Sequence, residues 1–201
     1  NGALMIANHA ASITDRLTLL TSIGKEKRTE RLIGEKLNEK IKTEFLFNNN
    51  ANGTLVNRMY IEHHRYTKLF EMYNSDPFFY EENTEKDVLK YLKENISKFD
   101  AVLVVDHGQG MITEAVREFI EKNAKFMAIN VQANSANLGY HFINSYSRAD
   151  FLSLTEEELR MALQNKKEDI SDLINKLSKM MIKSMNGISI KCFLEIFLKI
   201  K

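Results

Sequence analysis

The stretch Val104–Thr113, VVDHGQGMIT, governs how the rest of the chain is read. An apolar run beginning at Ala101, AVLVVD, ends in Asp106. His107, Gly108, Gln109 and Gly110 follow, and Thr113 then opens a segment with helical spacing. The 201 residues contain only eight glycines, and two of them stand one residue apart directly after this strand. Either the turn is tight and needs residues that tolerate positive φ, or a ligand must approach its backbone closely. The segment is neither GxGxxG nor a phosphate loop, since no Gly-Lys-Ser/Thr follows. Asp106 reads as a turn cap or as a ligand contact. His107 reads as a satisfied loop histidine or as part of a site.

Working outward, the second half alternates helix and strand. Helical spacing predicts a helix over Thr84–Phe99, with Val88, Leu89, Leu92, Ile96 and Phe99 on one face and Thr84 as N-cap. Ala101–Asp106 is a strand and Thr113–Asn123 a helix. Lys125–Val131 is a strand, Ser135–Tyr146 a helix and Ala149–Leu154 a strand. Thr155–Gln164 is a helix whose first turn, TEEE, carries a capping box of Thr155 and Glu158. Asp169–Lys183 is a further helix, and Ile188–Lys201 includes a last strand.

Upstream, Ala3–Ile13 is an Ala-rich helix and Arg16–Ile23 a strand. Glu26–Ile41 is an amphipathic helix through Leu32, Ile33, Leu37 and Ile41, and Phe45–Phe47 is a short strand. After the turn-rich Asn48–Gly53, the runs Thr54–Ile61 and Thr67–Tyr73 form a β-hairpin around His63, His64, Arg65 and Tyr66. His63 and His64 are neighbours whose side chains point oppositely, which disfavours a shared metal.

Short apolar strands between helices imply an α/β fold with a mostly parallel sheet covered on both faces. Ligands of such sheets bind beyond the carboxyl ends of the strands. Three polar segments lie at such ends: Asp106–Gly110, Asn130–Asn134 and Ser153–Glu158. Their agreement on one edge points to a small-molecule site.

Composition narrows the classes. Lys and Arg total 28 against 27 Asp and Glu, so a net charge of +1 offers no electrostatic footprint for nucleic acid. The single Cys192 excludes a disulfide within the chain and a cysteine zinc site, which suits a reducing cytoplasm. No apolar run reaches the length of a membrane span. The apolar start, NGALMIANHAASI, lacks a basic leader, so no signal peptide is expected. A first residue of Asn suggests that the chain begins inside a longer reading frame or after processing. The nine methionines read as core filler. A dehydrogenase-type nucleotide fold would need its glycine turn after the first strand, and here the glycines come mid-chain.

Taken in order, these segments resemble the ribokinase-like (PfkB-type) carbohydrate kinases, in particular the heptose-phosphate kinase domain of ADP-heptose synthases. Asn1–Ala11, NGALMIANHAA, resembles the early GGA-x-NVA-x-N-x-A helix from its second glycine. Gly53–Tyr73 resembles the lid, often PT-x-VK-x-R with a second strand. Asp106–Thr113, DHGQGMIT, resembles DYGKG-x-LT, and Asn130–Glu158 resembles the run from DPK to TPN-x-x-E. The resemblance covers nearly the whole chain. It implies a three-layer α/β/α domain over 1–201 with a β lid at 43–75. It also implies ATP and Mg²⁺ as cofactors and a sugar or sugar phosphate as substrate, with no nucleic acid and no membrane partner. By the same resemblance, Gly2, Asn8, Arg58, Asp106, His107, Gly108 and Gly110 would meet the sugar. Asn134 and Thr155 would meet the nucleotide, and Glu158 would act on Mg²⁺ through water. Lids of this family often pair, which implies a homodimer through Thr54–Tyr73.

The chain departs from the pattern at several positions. Asn1 replaces a glycine, Met5 an asparagine, Asn57 the lid lysine and Gln109 the lysine of DYGKG. Asn130 replaces the aspartate of DPK and Thr155 the asparagine of N-x-x-E. The G-A-G-D segment that supplies the family's catalytic base is not found among the 201 residues, so no catalytic residue is assigned. These residues alone are expected to show no turnover. Two readings stay open: a carbohydrate kinase domain given incompletely, or a degenerate kinase fold that binds a sugar or a partner chain.

Overall fold

The structure is a computed structural model that describes residues 2–24, 27–48, 57–62, 67–73, 82–133 and 140–182. They belong to two compact units, residues 1–87 and 88–201.

The first unit opens with α1 (Gly2–Ala10). Ala7 and Ala11 are buried together with Ile41, and Leu17, Leu19 and Leu37 pack against that cluster. β1 (Leu17–Gly24) and β2 (Ile41–Asn48) run parallel, with Leu17 opposite Ile41. α2 (Lys27–Gly34) lies between them in sequence, completing the crossover that parallel neighbours require. This helix is shorter than the predicted Glu26–Ile41. It stops at Gly34; Leu37 joins the α1 cluster, and Ile41 opens β2 instead of closing a helix. Leu37 and Ile41 keep helical spacing because both serve one cluster, not because the chain between them is helical. β2 accordingly covers more than the predicted Phe45–Phe47.

β3 (Asn57–Glu62) and β4 (Thr67–Tyr73) form the predicted antiparallel pair, with Asn57 opposite Tyr73 and a register shift between Tyr60 and Ile61. Ile61, Leu69 and Phe70 of this pair are exposed. The expected turn at 63–66 lies outside the described residues, as do 49–56.

The division between the units falls within α3 (Glu82–Asn95), where Val88 and Leu92 are buried as the spacing predicts. The helix starts two residues before Thr84, which sits buried in its first turn and is not its cap. A 3₁₀ turn follows at Ile96–Lys98. β5 (Val102–Asp106), β6 (Met127–Val131) and β7 (Phe151–Ser153) then form a parallel sheet in that order. α4 (Glu114–Asn123) joins β5 to β6, capped by Thr113 Oγ1, which accepts the Val116 N–H at 3.4 Å. Val104, Met127, Ile129, Val131 and Leu152 are buried, while Leu103, on the alternate face of β5, is exposed.

α5 (Glu156–Ala162) and α6 (Ile170–Ile182) pack on each other, burying Leu159, Leu173 and Leu177. The amino edge of the sheet is fastened by Arg148. Its guanidinium donates to the carbonyls of Glu121 and Ala124 at 2.8 and 2.9 Å and to Asp150 Oδ2 at 2.7 Å, and Asp150 Oδ2 also accepts the Met127 N–H.

The predicted helix Ser135–Tyr146 is corrected where it is described. Ile143–Ser145 is a single 3₁₀ turn between the extended residues Phe142 and Tyr146. Tertiary bonds override the helical pattern there: Asn144 Nδ2 donates to the Ala162 carbonyl at 2.6 Å, and Tyr146 reaches back to β5. Residues 134–139 and 183–201, with the expected last strand and Cys192, lie outside the described residues. Among the described residues, no helix is long and apolar enough to cross a membrane.

Candidate functional site

The carboxyl edge of β5–β6–β7 brings together the three polar segments that the sequence placed at strand ends. β5 delivers Asp106 with only 4 % of its surface exposed. Its carboxylate turns into the protein. Oδ1 accepts the Gly108 N–H at 3.0 Å and Oδ2 accepts the Tyr146 hydroxyl at 2.6 Å. His141 Nε2 lies 3.1 Å from Oδ1, off the hydrogen-bonding line. Burial by itself would raise the pKa of Asp106. The His141 imidazole, the Tyr146 hydroxyl and the Gly108 N–H outweigh it and hold the carboxyl below its ordinary 3.8. The same burial, with the Asp106 charge, pushes the Tyr146 hydroxyl far up, so it stays a donor.

The bond from Gly108 N–H to Asp106 closes an Asx-type turn. Gly108 sits at φ 65° and Gly110 at φ 83°, in the left-handed region where a Cβ is strained. Both glycines are therefore required by backbone conformation, which answers one half of the question their spacing raises. His107 is half-buried; burial lowers its pKa from 6.5, against the opposing pull of Asp106 and Gln132. The turn leads directly into α4, whose Arg117 guanidinium lies 5.6 Å from the centroid of the Tyr146 ring.

The end of β6 is tied to both neighbours. The Gln132 N–H donates to the Asp106 carbonyl at 2.9 Å, and the Ala133 N–H to Glu158 Oε1 at 3.0 Å. Glu158 Oε2 accepts the Thr155 N–H and the Thr155 hydroxyl, each at 2.8 Å, while Thr155 Oγ1 accepts the Glu158 N–H at 3.2 Å. The predicted capping box is present, and Glu158 adds a link to the end of β6. Asn130 Nδ2 donates to the Ser153 carbonyl at 3.0 Å and so joins β6 to β7.

Asp106, His107, Gly108 and Gly110 thus share one turn, and Thr155 and Glu158 share the adjacent helix start. Gly2, Asn8 and Arg58 belong to the first unit. Gly2 opens α1. Asn8 has both ends of its amide engaged, donating to the Lys36 carbonyl at 2.8 Å and accepting the Asn38 N–H at 2.7 Å. Arg58 stands in β3 opposite Met72. Asn134 lies outside the described residues. Sequence reading missed His141 and Tyr146, which stand 35 and 40 positions from Asp106 in a segment read as helix; nothing in their local pattern points to β5.

Among the described residues, no three His, Cys, Asp or Glu side chains are grouped to hold an ion. Both Glu158 oxygens are engaged by the protein's own donors.

The chain matches no protein-family model and no curated protein in sequence. Its fold matches solved structures. A candidate phosphofructokinase from Staphylococcus aureus superposes with a TM-score of 0.60 at 13 % identity, over 96 % of this chain and 58 % of that one. Phosphofructokinase-2 from Escherichia coli, in complex with fructose-6-phosphate, gives 0.59 at 10 % identity, over 96 % and 60 %. A pyrophosphate-dependent kinase in the ribokinase family, complexed with a pyrophosphate analog and myo-inositol, gives 0.55 at 12 % identity, over 90 % and 61 %. The chain therefore has a mixed α/β fold of the kind these sugar kinases share, and it spans about three-fifths of their length.

Proposed function

We propose that the chain is part of a carbohydrate kinase and binds a sugar or sugar phosphate at the carboxyl edge of β5–β6–β7. The observation that carries this reading is the meeting of the Asp106–Gly110 turn, the end of β6 and the Thr155–Glu158 helix start on one sheet edge, in a fold of the sugar-kinase type. MgATP enters as co-substrate. The acceptor hydroxyl forms the new bond to the γ-phosphorus and gives up its proton to water, the bond from the γ-phosphorus to the β-phosphate oxygen breaks, and ADP leaves. The turn's part is to present backbone and His107 to the sugar. In this reading Arg58 lies on a lid formed by β3 and β4. Thr155 borders the nucleotide. The exposed Ile61, Leu69 and Phe70 favour pairing of two lids, and a single-chain mass in light scattering well above micromolar concentration contradicts that pairing.

The internal engagement of Glu158 favours a second reading, a non-catalytic sugar-binding fold, because no step is then asked of that carboxylate. The two are separated by measuring, on the full-length protein of which this chain is part, ADP release with MgATP and a panel including fructose 6-phosphate and heptose 7-phosphate, together with sugar binding by calorimetry. Sugar-dependent ADP release establishes the kinase. Binding without release establishes the binding fold, and neither, from folded protein, removes both.

A further inference from the structure

We infer that Tyr146 and His141 are positioning residues for the Asp106–Gly110 turn: they hold the Asp106 carboxylate inward, so that a ligand meets the turn through its backbone and His107. Only the nature of that ligand rests on the function proposed above.

The argument begins with the cost of burying a carboxylate. Asp106 is nearly inaccessible, and a buried ion is tolerated only with donors on its oxygens. As a fastening alone it has no advantage, since apolar residues of equal volume hold a core at least as well. What a carboxylate adds is direction. Oδ1 fixes the Gly108 N–H and hence the left-handed residue on which the turn pivots. Among the described residues, the donor to Oδ2 is the Tyr146 hydroxyl. Without it, that oxygen is buried and unpaired, and rotation toward water breaks the Gly108 bond. His141 Nε2 closes the remaining side at 3.1 Å. The circuit is completed through α4: the turn leads into the helix, the helix sets Arg117 against the Tyr146 ring, and Tyr146 returns to Asp106. With both carboxylate oxygens engaged inward, residues 107–110, each partly exposed, are the part of the turn that a ligand meets.

The test uses the full 201-residue chain. Amide hydrogen exchange by NMR compares wild type with Tyr146→Phe, His141→Gln and, as a control, Tyr140→Phe. The Gly108 amide is expected to exchange about ten-fold faster in Tyr146→Phe, while the sheet amides of Met127 and Ile129 change less than about two-fold. An unchanged Gly108 rate in folded Tyr146→Phe overturns the inference. Should that variant not fold, His141→Gln carries the same comparison with a smaller expected change. Calorimetry with fructose 6-phosphate and heptose 7-phosphate gives an independent arm. If the wild type binds either, a five-fold or greater loss in Tyr146→Phe is expected, and equal affinity overturns the positioning role. If the wild type binds neither, these sugar phosphates fail as ligands, while the exchange comparison still decides whether Tyr146 sets the turn.

Discussion

Two turns end strands of the same parallel sheet, and they are held by opposite means. The turn after β7 is held mainly by its own neighbours, because Thr155 and Glu158, three residues apart, satisfy each other's groups. The turn after β5 is held from afar, with Asp106 anchored by a tyrosine 40 positions later and approached by a histidine 35 positions later. A local cap survives small shifts of its surroundings, since its partners move together. A long-range anchor links the shape of the turn to the packing of everything between. The glycine-rich turn, the candidate ligand site, is the one whose shape depends on the rest of the unit.

The sharpest way to break this contrast is Asp106→Ala. It strands a buried Tyr146 hydroxyl and the Gly108 N–H together, and a loss of about 3 kcal/mol in urea unfolding is expected. A loss below about 1 kcal/mol would mean that the long-range anchor contributes no more than a surface group. Next comes Gly108→Ala. The added Cβ must take φ 65°, and about 1–2 kcal/mol of destabilisation is expected, read from the same unfolding curves. Thr155→Ala tests the local side and should cost about 1 kcal/mol, the usual value of a lost N-cap, without altering the Gly108 amide.

Acidity refines the comparison with smaller effects. Asp106 titrates below its ordinary range when folded, so it stabilises the protein above about pH 4, and that contribution fades as pH falls through the folded-state value. Asp106→Asn should flatten the acid limb of a stability–pH profile. His107 is likewise depressed, by burial. The unfolded chain takes up its proton first as pH drops below about 6.5, so stability declines from there toward the folded-state value. His107→Gln should remove that decline and leave the region above pH 7 unchanged, as followed by thermal unfolding.

The legibility of the chain follows the same division. The capping box at Thr155 was readable because it is a contact between residues three apart. The strands β5 and β6 were readable because short apolar runs between helices have few alternatives in an α/β fold. The end of α2 was misread, since Leu37 and Ile41 keep helical spacing while serving the α1 cluster from a loop and a strand. Thr84 was misplaced because α3 begins before it. The amide of Asn8 closes the loop at Lys36 and Asn38, about thirty positions away, a link that local pattern does not announce.

By itself, the sequence determined the alternation of helices and strands in the second half, the carboxyl edge on which polar segments gather, and the two glycines at which the turn reverses. These follow from spacing, propensity and the conformational freedom of glycine, all of which act within a few residues. The tertiary structure alone decided which way Asp106 faces, because its donors come from a segment whose local pattern suggested helix. A buried carboxylate is oriented by whatever donors surround it, and those are brought together only by the packed chain.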